Sequence, residues 1–142
     1  MTMKTQAGEP QCKLITLTEV SESRGSLCFA ESEKEIPFPI KRVFWIYDVP
    51  TGATRGQHAN WKCAEVIFPL HGAFDIIIDD GRYHKTYHLD TPSRGILIPA
   101  GVWCELKNFQ SGTVCMVCAD QSYSEEYYVN DYQQYLEERR CR

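Results

Sequence analysis

The chain has 142 residues, 43% hydrophobic and 24% charged, an ordinary globular mix long enough to bury one core. Its net charge of -4 gives no broad attraction to nucleic acid or an acidic membrane, although a local basic pocket for a phosphate stays possible. No apolar run approaches the roughly 20 residues of a membrane helix, MTMKTQAGEP lacks the apolar segment of a signal peptide, and an odd set of 7 cysteines fits a reduced, cytoplasmic setting.

In chain order, short segments between turn signals read as strands. CKLITL (12–17) comes first, then SRGSLCFAE (23–31) after the Arg24–Gly25 turn. IKRVFWIYDV (40–49) alternates, with Val43, Trp45 and Tyr47 on one face and Phe44 and Ile46 on the other. A loop punctuated by Pro50, Gly52 and Gly56 follows, then AEVIFPLHG (64–72). AFDIIIDDGRYHKTYHLD (73–90) turns at Asp80–Gly81, a hairpin signal. RGILIPAGVWCEL (94–106) and GTVCMVCAD (112–120) complete the strands. In the last of these, Cys115 and Cys118 are an odd number of residues apart, so a strand sends them to opposite faces, where they do not share a metal. Only the end reads as helical. Tyr128, Tyr132, Tyr135 and Leu136 form one stripe, preceded by Ser122 and Glu125 in capping-box spacing. Many short strands with one terminal helix predict an all-β sandwich or barrel.

Two motifs carry the chemistry. The first holds His58, Asn60, Glu65 and Gly72, and the second Gly95, Pro99, Gly101, Cys104 and Asn108. Positions 58 and 60 share a strand face and can converge on one point, and Gly72, Gly95 and Gly101 suit tight turns. In order and spacing the pair resembles the two motifs of cupins, in which the first supplies His, His and Glu and the second a further His. RGSL, PFPIKRVFWIYDVPTGATRGQHA, LDTPSRGILIPAGVW and SYSEEYYVNDYQQYL together resemble the WxcM-like family of cupins, over roughly residues 12–136. The blocks Lys41-Arg42-Val43-Phe44 and Arg55-Gly56-x-His58-Ala59 are the most specific.

The resemblance implies a cupin double-stranded β-helix, a jelly-roll barrel with a short C-terminal helix. It implies one domain over 1–142, with its core at about 12–121 and the helix at about 123–139. It further implies sugar 3,4-ketoisomerase activity on a dTDP-4-keto-6-deoxyhexose, no cofactor, no required metal, and a homodimer with an exchanged N-terminal strand. No nucleic acid or membrane partner is expected. In the family a His-Ala-His pair and a tyrosine from the preceding strand move the proton. His58 matches the first histidine, while Asn60 stands for the second, Trp45 for the tyrosine and Cys104 for the histidine after VW.

Moving a ketone from C4 to C3 needs a base to take the C3 proton and donors for the enediolate oxygen. Imidazole titrates near pH 6.5 and suits the first task. His58 is therefore the expected base. Tyr47, two residues beyond Trp45 on the same face, is a replacement phenol. Cys104 reads either as a thiolate or as a small buried hydrophobe. Asn60 is expected to hold a sugar hydroxyl or to orient His58, and Trp45 to stack on sugar or thymine. Glu65 faces the substrate or pairs with a neighbouring base. Arg55 and Arg94 pair with the diphosphate or lie in solvent. Two further readings compete: a dTDP-sugar-binding cupin without turnover, and a metal cupin ligated by His58, Glu65 and Cys104.

Overall fold

In the computed structural model, which describes residues 12–142, the alternating segments become strands packed in two layers. The strands are β1 (Lys13–Thr16), β2 (Glu19–Glu22), β3 (Gly25–Cys28), β4 (Arg42–Ile46), β5 (Arg55–Asn60) and β6 (Glu65–His71). β7 (Phe74–Asp79), β8 (His84–Leu89), β9 (Arg94–Ile98), β10 (Trp103–Lys107), β11 (Val114–Ala119) and β12 (Tyr128–Val129) follow, then α1 (Tyr132–Arg140). One sheet runs β1-β9-β6-β11-β4, and the other runs β12-β5-β10-β7-β8. All the pairings within these two sheets are antiparallel. This is the expected double-stranded β-helix. Among the described residues no helix is long and apolar enough to cross a membrane.

Strand alternation divides the apolar residues between three layers. Ile67, Ile76, Ile78, Ile96, Ile98, Cys104 and Leu106 meet inside the barrel. Val66, Phe68 and Cys118 face outward, under Leu17, Ile36 and Phe38. Behind the second sheet, Ala59, Trp103 and Val129 pack with Tyr135 of α1. Cys115 joins the interior and Cys118 the outer layer, so the two thiols do part to opposite faces.

Two local expectations change. The helix begins at Tyr132 rather than near 123, capped by Asp131, whose Oδ1 accepts from the Gln134 N–H at 2.8 Å. Pairing of Tyr128 with Asn60 and of Val129 with Ala59 draws that segment into a strand, overriding the helical stripe and the Ser122–Glu125 cap. Gly95 lies inside β9 rather than in a turn. A Cβ there would stand 2.5 Å from the Ile67 carbonyl oxygen and from the Phe68 ring, so glycine makes room between layers. Gly72 and Gly101, at φ 79° and 85°, do serve as turns.

Candidate active site

On β5, Ala59 turns to the layer under α1, so alternation turns His58 and Asn60 into the barrel. The register sets Cys104 of β10 directly across from His58. A bulge in β5 that leaves Gln57 without a register partner on β10, with left-handed backbone at Gly56 (φ 81°) and Gln57 (φ 54°), kinks β5 just before the histidine. A Cβ at position 56 would come within 3.0 Å of the Cys104 carbonyl oxygen, so this close approach requires glycine.

His58 Nδ1 lies 3.1 Å from the Gly56 carbonyl oxygen. A carbonyl only accepts, so Nδ1 carries the proton and Nε2 keeps its lone pair for a substrate. Burial is the main cause that lowers the His58 pKa below its ordinary value; the Gly56 carbonyl opposes this and the Arg55 charge adds to it. The imidazole is therefore neutral and basic at pH 7.

Tyr128, the register partner of Asn60, stands edge-on to His58, with ring centroids 4.9 Å apart at 82°. Beyond it lies Arg42, whose guanidinium also feels Cys63 and Glu65 and whose buried Nε has no hydrogen-bond partner. Glu65 alternates with Val66 and so faces inward with Ile67. Burial, the largest cause, pushes its carboxyl up to about 7, helped by Asp120 and opposed by Arg42. Arg42 is thus the neighbouring base of Glu65.

The other expected site residues divide between this cavity and the outer faces of the strands. Asn60 does not replace an imidazole in kind. Its Oδ1 accepts from the N–H groups of Lys62 and Cys63, both at 2.9 Å, and closes the turn after β5, leaving only its amide nitrogen for a ligand. Cys104 is a wall of the cavity and no thiolate: burial, then Glu65, raises its pKa well above the ordinary value. Trp45 and Tyr47 do not join His58. Phe44 and Ile46 take the inward positions of β4, so the alternate positions point out, and both aromatics are 60% exposed. They line a separate cavity of about 340 Å³ with Arg55. Arg94 opens β9, four residues before the register partner of Glu65 and so about 13 Å along the strand. Arg55 and Arg94 lie in different sheets, and among the described residues neither makes an ion pair. Among the described residues no three His, Cys, Asp or Glu side chains gather as a metal site, so His58, Glu65 and Cys104 do not form one.

The sequence reading passed over Tyr128 and Arg42. Arg42 lies in the block Lys41-Arg42-Val43-Phe44, which marks the family rather than a role, and the spacing of Tyr128 to Tyr132 and Tyr135 is helical.

Comparisons with known proteins show the family. Residues 10–140 match the family model FdtA, described as WxcM-like, C-terminal. The TDP-4-oxo-6-deoxy-alpha-D-glucose-3,4-oxoisomerase of Aneurinibacillus thermoaerophilus is 39% identical over 120 residues, covering 84% of this chain and 86% of the relative. The crystal structure of a 3,4-ketoisomerase from Helicobacter canadensis superposes with TM-score 0.90 at 34% identity, covering 93% of this chain and 99% of that one. A histidine-to-asparagine mutant of the 3,4-ketoisomerase QdtA from Thermoanaerobacterium thermosaccharolyticum, in complex with TDP-4-keto-6-deoxyglucose, superposes with TM-score 0.89 at 31% identity, covering 97% and 98%.

Proposed function

The chain belongs to the FdtA family, WxcM-like, C-terminal, and from that premise we propose that it is a nucleotide-sugar 3,4-ketoisomerase acting on a dTDP-4-keto-6-deoxyhexose. The observation that carries the reading is a neutral, half-buried imidazole with Nε2 free, aimed into a barrel that also holds a phenol and a guanidinium.

The chemistry needs only proton traffic. His58 Nε2 takes the proton from C3, which the C4 carbonyl acidifies. The negative charge that develops on O4 falls to the donors at hand, Tyr128 and Arg42. The enediol O3–H proton passes to O4, the Tyr128 hydroxyl gives C4 a proton and is recharged by the His58 imidazolium beside it, and the carbonyl ends at C3. Bonds lost and gained balance without any redox partner. Glu65 keeps Arg42 in place, and the Asn60 amide nitrogen is left to hold a sugar hydroxyl.

Incubation with dTDP-4-keto-6-deoxyglucose in deuterium oxide tests this. Deuterium should enter C3 of the remaining 4-keto substrate and C4 of the 3-keto product, and that product should accumulate. Tight dTDP binding with neither exchange nor product would leave only the binding-module reading.

The protein acts as a homodimer that exchanges its N-terminal segment. Among the described residues the β2–β3 hairpin pairs only with itself and exposes Val20 and Leu27, and a lone hairpin is marginal in water. Nearby Leu14 and, on β4, Val43 and Trp45 add exposed apolar surface, which marks an interface. In the single chain β1 pairs with its own β9, the register a partner's strand would take over on exchange. Light scattering should give twice the 16.4 kDa chain mass. A monomer at micromolar concentration that still turns over substrate would refute the dimer.

A further inference from the structure

Arg42, Ala119 and Glu65 stand in one row across the inner face of the first sheet, because Ala119 of β11 is the register partner of both charged residues. Phe44, Val117 and Ile67, two residues along the same three strands, face inward with them. Two strand spacings set the Arg42 and Glu65 backbones about 10 Å apart, with only the small Ala119 side chain between. Glu65 is 7% exposed. Arg42 acts on it as a charge without contact, since among the described residues Glu65 makes no ion pair. Burial and the charges of Arg42 and Asp120, and no hydrogen bond, act on its carboxyl. A buried polar group without a partner is costly, and a ligand entering the barrel supplies one.

On the facing sheet stand His58 of β5 and Cys104 of β10, and Glu65 is the charge that perturbs the Cys104 thiol most. Cys63 and Asp120 flank Glu65 from the adjoining turns and Cys115 from β11, while β9 sets Ile98 opposite it. Asp120 is anchored by the Ala64 N–H, 2.9 Å from its Oδ1. Packed sheets lie about 10 Å apart, so a sugar ring between them, with C3 at His58 Nε2, presents O3 and O4 to the row of Arg42 and Glu65. We infer that Glu65 is a catalytic residue that carries the hydroxyl proton of the enediolate from O3 to O4. O4 takes the proton of one carboxyl oxygen as the other carboxyl oxygen takes the O3 proton. One O–H bond forms at O4 and one breaks at O3, the negative charge moves from O4 to O3, and Glu65 ends neutral as it began. The two vicinal oxygens of the sugar match the two oxygens of a carboxyl, and the unpartnered Arg42 Nε is a donor beside them. The transfer needs the acid form of Glu65. Burial, aided by Asp120 and opposed by Arg42, pushes the carboxyl up to about 7, so the acid form prevails at lower pH. The inference rests on the isomerase reading and names the group that reading leaves open.

Isotope exchange across pH, with dTDP-4-keto-6-deoxyglucose in deuterium oxide, tests it. Removal and return of the C3 proton use His58 alone, whereas product also needs the Glu65 proton. In the unaltered protein, as pH rises above about 7, exchange into C3 of recovered substrate should hold while product formation falls about tenfold per pH unit. Glu65→Gln keeps the size of the side chain but does not titrate, and a thermal melt checks its fold. It should lower kcat for product about 10²-fold or more, and leave C3 exchange and dTDP affinity within a few-fold. The ratio of exchange to product should lose its dependence on pH. If the carboxyl only held Arg42, Glu65→Gln would slow exchange and product together and leave their ratio as it was, which would overturn the assignment. A ratio that stays constant above pH 7 in the unaltered protein would overturn it without any variant, and would leave the isomerase reading standing. Neither exchange nor product in the unaltered protein would sink that reading and the Glu65 step with it.

Discussion

His58→Asn is expected to lower kcat/KM by about 10²- to 10⁴-fold, the contribution of a positioned general base, while dTDP affinity stays within a few-fold. Asparagine fills a similar volume and can still donate toward the Gly56 carbonyl, but it does not titrate. Solvent deuterium should therefore no longer enter C3, and no product should form. A second observation ties the loss to proton abstraction rather than to packing. The base works only when neutral, and burial together with the Arg55 charge lowers its pKa. In the unaltered protein kcat/KM should thus stay flat as pH falls through 6.5, then drop at lower pH as the imidazole takes up its proton. Removing the Arg55 charge should move this acidic limb upward. Exchange at C3 that survives His58→Asn would mean that another group is the base.

The fold was legible because its signals are local and redundant. Apolar alternation in FDIIID and VCMVCA, the Asp80–Gly81 turn and the glycines at 72 and 101 each act over a few residues, and each agrees with the barrel. His58 was legible for a similar reason, since it sits in a motif whose glycine is required by the approach of the Cys104 carbonyl. What the sequence hid depends on contacts made by distant segments. Alternation put Trp45 of β4 and Tyr47 just beyond it on one side but could not say that Phe44 and Ile46 face the cavity, because both faces are apolar. Asn60 looked like a degraded ligand because its duty is to two backbone N–H groups, which leave no mark in a motif. Tyr128 was hidden most thoroughly. Its spacing to Tyr132 and Tyr135 is helical, yet the ladder pairs Tyr128–Asn60 and Val129–Ala59 hold it in a strand. The only local hint was Asp131, a good cap three residues further on.

Tyr128→Phe follows from that placement and separates the two halves of the reaction. The substitution keeps the ring against His58 and the pairing with Asn60, so fold and substrate affinity should hold. It removes the hydroxyl that stands between His58 and the Arg42 guanidinium, where the proposed reaction develops charge on O4. Loss of a single oxyanion donor costs on the order of 10²-fold in kcat, and KM should move less than about threefold, since the interaction strengthens only in the transition state. Isotope exchange gives the sharper readout. With Arg42 still polarising O4, His58 can remove and return the C3 proton, while delivery to C4 stalls. Deuterium should therefore enter C3 of recovered substrate faster than product forms, whereas in the unaltered protein the two should keep pace. A purely structural tyrosine would slow both together and lower the melting temperature. Equal slowing with an unchanged ratio would remove Tyr128 from the proton path and leave Arg42 as the group that meets the charge on O4.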